Sequence, residues 1–77
     1  MSVKVRYFAS LGDLIGRSED QMDIEGHITV ADIWREATGE IPMPPRTLVA
    51  VNQEYADLEQ VVHDGDEVAF FPPVTGG

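Results

Sequence analysis

The run Phe70-Phe71-Pro72-Pro73-Val74-Thr75-Gly76-Gly77 closes the sequence, and it suits chemistry by a main-chain group rather than by a side chain. Pro72 and Pro73 stop sheet pairing and bias the succeeding residues toward an extended form. The stretch from Pro72 to Gly77 then reaches roughly 20 Å from a folded body, far enough to enter a pocket on another molecule. Gly76 and Gly77 carry no Cβ, so the backbone passes a narrow channel and the terminal acyl group is open on every side. A carboxylate is a poor electrophile because its charge is shared by two oxygens. Transfer chemistry at Gly77 therefore requires prior activation, for example as an acyl adenylate, and implies an adenylating partner. A terminal Gly-Gly by itself is more often a frayed end, and its weight here comes from the strand and the two prolines before it.

Other side chains offer less. His27 and His63 are isolated and sit beside turn residues, which reads as surface histidine rather than a ligand set. Asp64, Asp66 and Glu67 lack the alternating ligand spacing of a calcium loop and read as turn residues. With no cysteine there is neither a disulfide framework nor a thiolate metal site, which fits a reducing cytoplasm. Fourteen Asp and Glu against five Lys and Arg leave a formal charge of −9. That field repels phosphate backbones, so no nucleic-acid partner is expected, and it favours encounter with basic protein surfaces. No apolar stretch approaches the roughly 20 residues of a membrane span, and no signal-peptide pattern opens the sequence. A soluble cytoplasmic protein with no membrane association is the expectation.

The elements that must carry the tail are legible from periodicity. At 77 residues there is room for one domain with a small core, and the 43% hydrophobic content is that of a folded chain. Val3 to Ala9 alternates, placing Val3, Val5 and Tyr7 on one face of a strand and Lys4, Arg6 and Phe8 on the other. Ser10 is placed to cap a short helical turn through Leu11, Leu14 and Ile15, ended by Gly16. Gln21 to Glu25 alternates again as a second strand, forming a hairpin with the first. Thr29 and Asp32 form a capping-box pattern ahead of Val30, Ile33, Trp34 and Ala37, which predicts a helix over 30–38 with Trp34 and Ile33 in the core. Gly39 ends it, and Pro42, Pro44 and Pro45 make a loop. Thr47 to Asn52 reads as a central strand buried on both faces. Asp64-Gly65-Asp66 turns the chain into a last strand, Glu67 to Phe71. The order strand, strand, helix, strand, short strand, strand predicts an α+β fold of β-grasp type, a mixed sheet packed on one main helix. The expected division is 1–71 as that domain and 72–77 as a flexible extended tail.

The run from Asp64 to Gly77 resembles the C-terminal signature of the MoaD/ThiS family of ubiquitin-like sulfur carriers, on the MoaD side. Val3 to Gly16 and Leu48 to Asn52 resemble the same family. The resemblance implies that Gly77 is adenylated by an E1-like enzyme using ATP and magnesium, then made a thiocarboxylate by a persulfide sulfur donor, the carrier itself binding no cofactor or metal. It implies a heterotetramer in which two carriers flank a dimer of the molybdopterin synthase large subunit. Gly76 and the tail residues Pro72, Pro73, Val74 and Thr75 would thread into that subunit's active site, and Gly77 would supply sulfur for making molybdopterin from cyclic pyranopterin monophosphate. Catalytic side chains would belong to the large subunit, so the carrier is not an enzyme on its own. Phe8 and Phe71, left on the charged faces of two strands expected to be neighbours, are interface candidates, and the resemblance adds Tyr55 to them. Lys4 and Arg6 beside Phe8 are candidates for the polar rim. Sulfur transfer to thiamine thiazole or tRNA, and ubiquitin-like protein modification through the same activated Gly77, remain as alternatives.

Overall fold

In the alternation of β1 (Ser2–Tyr7), every second residue from Val3 to Tyr7 is buried and every intervening one is exposed or nearly so. The computed structural model describes residues 2–26 and 28–73. β1 pairs antiparallel with β2 (Glu19–Asp23), joined through a short helix, α1 (Ser10–Ile15). Ser10 does not cap that helix. It is the first helical residue, and the N-cap position belongs to Ala9, whose methyl group cannot accept an N–H. Ala9 has φ 52°, which ends β1 before it can run through Phe8 and Ala9. α1 closes at Gly16, with φ 84° and its N–H donating to the Gly12 carbonyl at 2.8 Å.

β2 begins two residues earlier than its apolar alternation suggests, because pairing with β1 extends its ladder to Arg6 opposite Glu19. Ile24 is buried but lies beyond the strand. Next comes a two-residue ladder between β3 (Ile28–Thr29) and β6 (Val61–Val62), too short to leave a periodicity in the sequence. The capping box forms as expected. The Thr29 hydroxyl accepts from the Asp32 N–H at 3.3 Å, and Asp32 accepts from the Thr29 N–H at 3.2 Å. The bond from the Thr29 backbone, followed by one that the Thr29 hydroxyl donates to the same carboxylate at 3.0 Å, holds the Asp32 carboxyl below the usual aspartate range. α2 (Val30–Thr38) then ends at Gly39, φ 70°.

Strands β4 (Leu48–Val51), β5 (Glu54–Ala56) and β7 (Glu67–Phe71) complete a five-stranded mixed sheet in the order β2-β1-β7-β4-β5. The centre is therefore β7, parallel to β1 and antiparallel to β4, and the Thr47–Asn52 run supplies the next strand out. Its buried residues are Val49 and Ala50, on opposite faces, with Leu48 and Val51 half-buried. Asn52 and Gln53, both at positive φ, make the two-residue turn into β5, a hairpin connection whose backbone twist matches the strands.

α2 covers one face of this sheet. Val30, Ile33 and Trp34 pack over Val3, Val5, Tyr7, Val68 and Phe70. The Trp34 ring meets Phe70 edge to face at 4.9 Å, an arrangement worth about 0.5–1.5 kcal/mol beyond the area it buries. Trp34 Nε1 donates to the Ile41 carbonyl at 2.6 Å, tying the proline-rich loop to the helix. The Tyr7 hydroxyl donates to Asp20 at 2.9 Å, and the Arg17 guanidinium donates to the same carboxylate and to the Ala37 carbonyl. Burial, reinforced by Asp20, pushes the Tyr7 phenol well above the usual tyrosine range. This is the β-grasp arrangement. No helix among the described residues is long and apolar enough to cross a membrane.

Candidate functional site

The face of the sheet opposite α2 gathers the interface candidates. Because β1 and β7 run parallel with Tyr7 beside Phe70, the next residues along, Phe8 and Phe71, point away from the core together. The Phe8 N–H donates to the Phe70 carbonyl at 2.9 Å, which holds Phe8 alongside β7 although it lies beyond the end of β1. The two rings meet edge to face, 6.3 Å apart at 79°. Tyr55 joins from the edge strand, its ring 5.9 Å from Phe71. Phe8 is 41% exposed, Tyr55 77%, and Phe71 is half-buried.

Beneath these rings runs one cross-strand row, Arg6–Ala69–Ala50–Tyr55, set by the pairings of β1 with β7, β7 with β4, and β4 with β5. Two alanines at its centre leave a shallow depression of about 360 Å³, walled by Arg6, Phe8, Tyr55 and Phe71 and closed at one end by Gln53 and Glu67. The Arg6 guanidinium carbon sits 5.0 Å from the centre of the Phe8 ring. Ala50 and Ala69 did not stand out in the sequence. Ala69 carried a signal, as a small residue between Glu67 and Phe71 on the outward face of a strand. Ala50 and Gln53 carried none, since their place depends on the register between β4 and its neighbours.

Phe8, Tyr55 and Phe71 are thus brought together, and Pro72 and Pro73 continue from the end of β7, half-buried and outside the sheet. Val74, Thr75, Gly76 and Gly77 lie outside the described residues, as does His27. The turn carboxylates serve the backbone. Asp64 accepts from the Ser2 N–H at 2.7 Å, and Asp66 accepts from Asn52 Nδ2 at 2.9 Å and from the His63 N–H at 2.8 Å. Those hydrogen bonds, foremost that from Asn52, hold the Asp66 carboxyl below its usual range. His63 is exposed at the surface, its Nδ1 3.8 Å from Asp66. Among the described residues no group of three or more His, Cys, Asp or Glu is arranged to hold a metal ion.

A profile of the ThiS family matches residues 5–77. The chain belongs to that family. It is similar to the molybdopterin synthase sulfur carrier subunit of Haemophilus influenzae, with 38% identity over 97% of this ThiS-family chain and 99% of that protein. Among solved structures, the small archaeal modifier protein 1 of Haloferax volcanii superposes with a TM-score of 0.79 at 27% identity, covering 95% of this chain and 98% of that one. A chain from the complex of subunits 1 and 2 of molybdopterin-converting factor from Helicobacter pylori gives a TM-score of 0.61 at 23% identity with both chains fully covered, a likeness of fold. The β-grasp body of this ThiS-family member is therefore shared with carriers and modifiers alike.

Proposed function

We propose that this ThiS-family chain is the sulfur carrier subunit of a molybdopterin synthase and acts in the cytoplasm, with the terminal acyl group of Gly77 as its working group. The observation that carries the reading is full-length similarity to proteins named as that subunit. The outer-face aromatics support it, because they lie at the root of the Pro72-Pro73 exit from β7. In this reading an E1-like enzyme uses ATP and magnesium to form the Gly77 acyl adenylate, expelling pyrophosphate. The terminal sulfur of a persulfide-bearing donor then attacks the acyl carbon and AMP leaves. A thiol next attacks the donor-side sulfur of the acyl disulfide so formed, departing with it as a disulfide and leaving the thiocarboxylate, with sulfur in place of one terminal oxygen. The carrier binds no cofactor and supplies no catalytic side chain.

The resulting thiocarboxylate is a good sulfur nucleophile, and its acyl carbon remains open to water after transfer, which regenerates the carboxylate. The large subunit, two copies of which are flanked by two carriers, would hold the cyclic pyranopterin monophosphate and the acid–base groups. Phe8, Tyr55 and Phe71 dock the body. Pro72, Pro73, Val74, Thr75 and Gly76 deliver Gly77.

Incubation of the chain with its adenylating enzyme, ATP, a persulfide sulfur donor and a thiol reductant should raise its intact mass by about 16 Da, the difference between oxygen and sulfur at one acyl position. Deleting Gly77 should abolish both that gain and molybdopterin formation while leaving the fold unchanged. Restoration of a carrier-deficient extract by the truncated chain would overturn the assignment. The likeness to a small archaeal modifier favours a second reading, lysine-linked conjugation through the same acyl adenylate. Conjugates without the mass gain would select it.

A further inference from the structure

We propose that Arg6 is a specificity residue of the outer face: its guanidinium receives a carboxylate of the docked partner, so that the large subunit presents an Asp or Glu next to an apolar side chain seated on Ala50 and Ala69. This rests on the reading of the outer face as the large-subunit contact.

The chain holds many more acids than bases, and two of its arginines are already committed. Arg17 pairs with Asp20 at 2.9 Å and Arg35 with Asp32 at 2.6 Å. Arg6 has an acid within reach along the sheet, since the ladder sets Glu19 opposite it on β2. Even so, among the described residues Arg6 enters no ion pair. It lies instead over the Phe8 ring at 5.0 Å.

A guanidinium held against an aromatic ring spends no N–H on that contact, so its planar fork stays free for the two oxygens of a carboxylate. A lysine ammonium, being a hydrated point charge, offers no equivalent fork. Arg6 also walls the depression whose floor is the two alanines. An incoming segment thus finds an apolar seat and a cation side by side.

Charge complementarity gives the partner's sign. Most of the surface of a chain with formal charge −9 draws a basic partner; on the outer face Lys4 lies opposite Glu67 and Arg6 opposite Glu19, and Arg6 is the cation that walls the depression. The matching surface carries one acid opposite Arg6 within a basic surround, an arrangement that fixes orientation as well as affinity.

Titration calorimetry with the full-length carrier and the purified large subunit of the same organism tests this. Arg6→Gln should weaken binding at least about tenfold, Arg6→Glu more, and Arg6→Lys by an intermediate amount, with melting temperatures unchanged. One Asp→Lys or Glu→Lys change on the large subunit should restore Arg6→Glu to within about threefold of the native pair, a rescue that a purely structural role would not produce. If Arg6→Gln and Arg6→Glu bind like the native chain while Phe71→Ala does not, Arg6 is ordinary surface and the docking reading stands without it. Native-like binding by Phe71→Ala as well would remove both. A weakened Arg6→Glu that no acid-to-lysine change rescues assigns the loss to general repulsion and overturns the proposal.

Discussion

On the inner face of β7, Val68 and Phe70 are wholly buried beneath α2, whereas on its outer face Glu67, Ala69 and Phe71 stay partly open. Neighbouring residues of one strand therefore have different roles. Phe70 touches Tyr7 and Trp34 within the core, and Phe71 touches Phe8 and Tyr55 at the surface. The inner row gains its stability from area removed from water in the monomer. The outer row leaves apolar area open, a cost to solubility that the surrounding acidic surface offsets. The sheet thus acts as a partition, with one side closed by folding and the other left open to solvent.

Phe70→Ala strikes hardest at this contrast between faces. It should cost about 3–5 kcal/mol, as a large aromatic lost from a tightly packed core does, and leave so small a domain largely unfolded by circular dichroism. Phe71→Ala, one residue on, should cost only about 1 kcal/mol in urea unfolding yet weaken binding to the large subunit more than about tenfold. Equal stability losses at the two positions would erase the distinction between faces.

Tyr7→Phe probes the inner face more finely, removing the hydroxyl bond to Asp20 at a cost of about 1 kcal/mol. Its pH dependence has a definite sign. With the folded phenol raised above its ordinary value, the unfolded chain releases its proton first, so stability falls as pH rises past about 10. Thermal melts across that range should show a shallower alkaline decline for Tyr7→Phe than for the native chain.

A still weaker effect belongs to the turn before β7. The folded Asp66 carboxyl is depressed, so its contribution is present above the unfolded value near about 4 and is lost as pH falls through the folded one. Asp66→Asn should flatten the acid limb of the stability profile in chemical unfolding. An unchanged limb would mean that the contacts from Asn52 and His63 are not felt in solution.

Local signals in the sequence were sound where the physics is local. The Thr29–Asp32 box, the α2 stripe through Ile33 and Trp34 and the Gly39 stop depend on neighbours within a turn or two, and the helix runs over the expected 30–38. The alternation in β1 and β7 assigned faces correctly, which is why Phe8 and Phe71 could be named as surface aromatics. Ser10 failed as a cap because chain direction at Ala9, rather than residue preference, determines where α1 begins.

Residue order alone therefore dictates which side chains turn inward or outward, where the main helix starts and stops, and that the last strand gives way to a proline exit. The folded chain was needed to establish that β7 rather than β4 is central, that β3 meets β6, and that Tyr55 and two alanines complete the surface begun by Phe8 and Phe71. The reason is physical. A side chain's direction follows from a strand's own pleat, but the neighbour it meets depends on pairing between segments far apart in the chain, and that is chosen by the packing of the whole core.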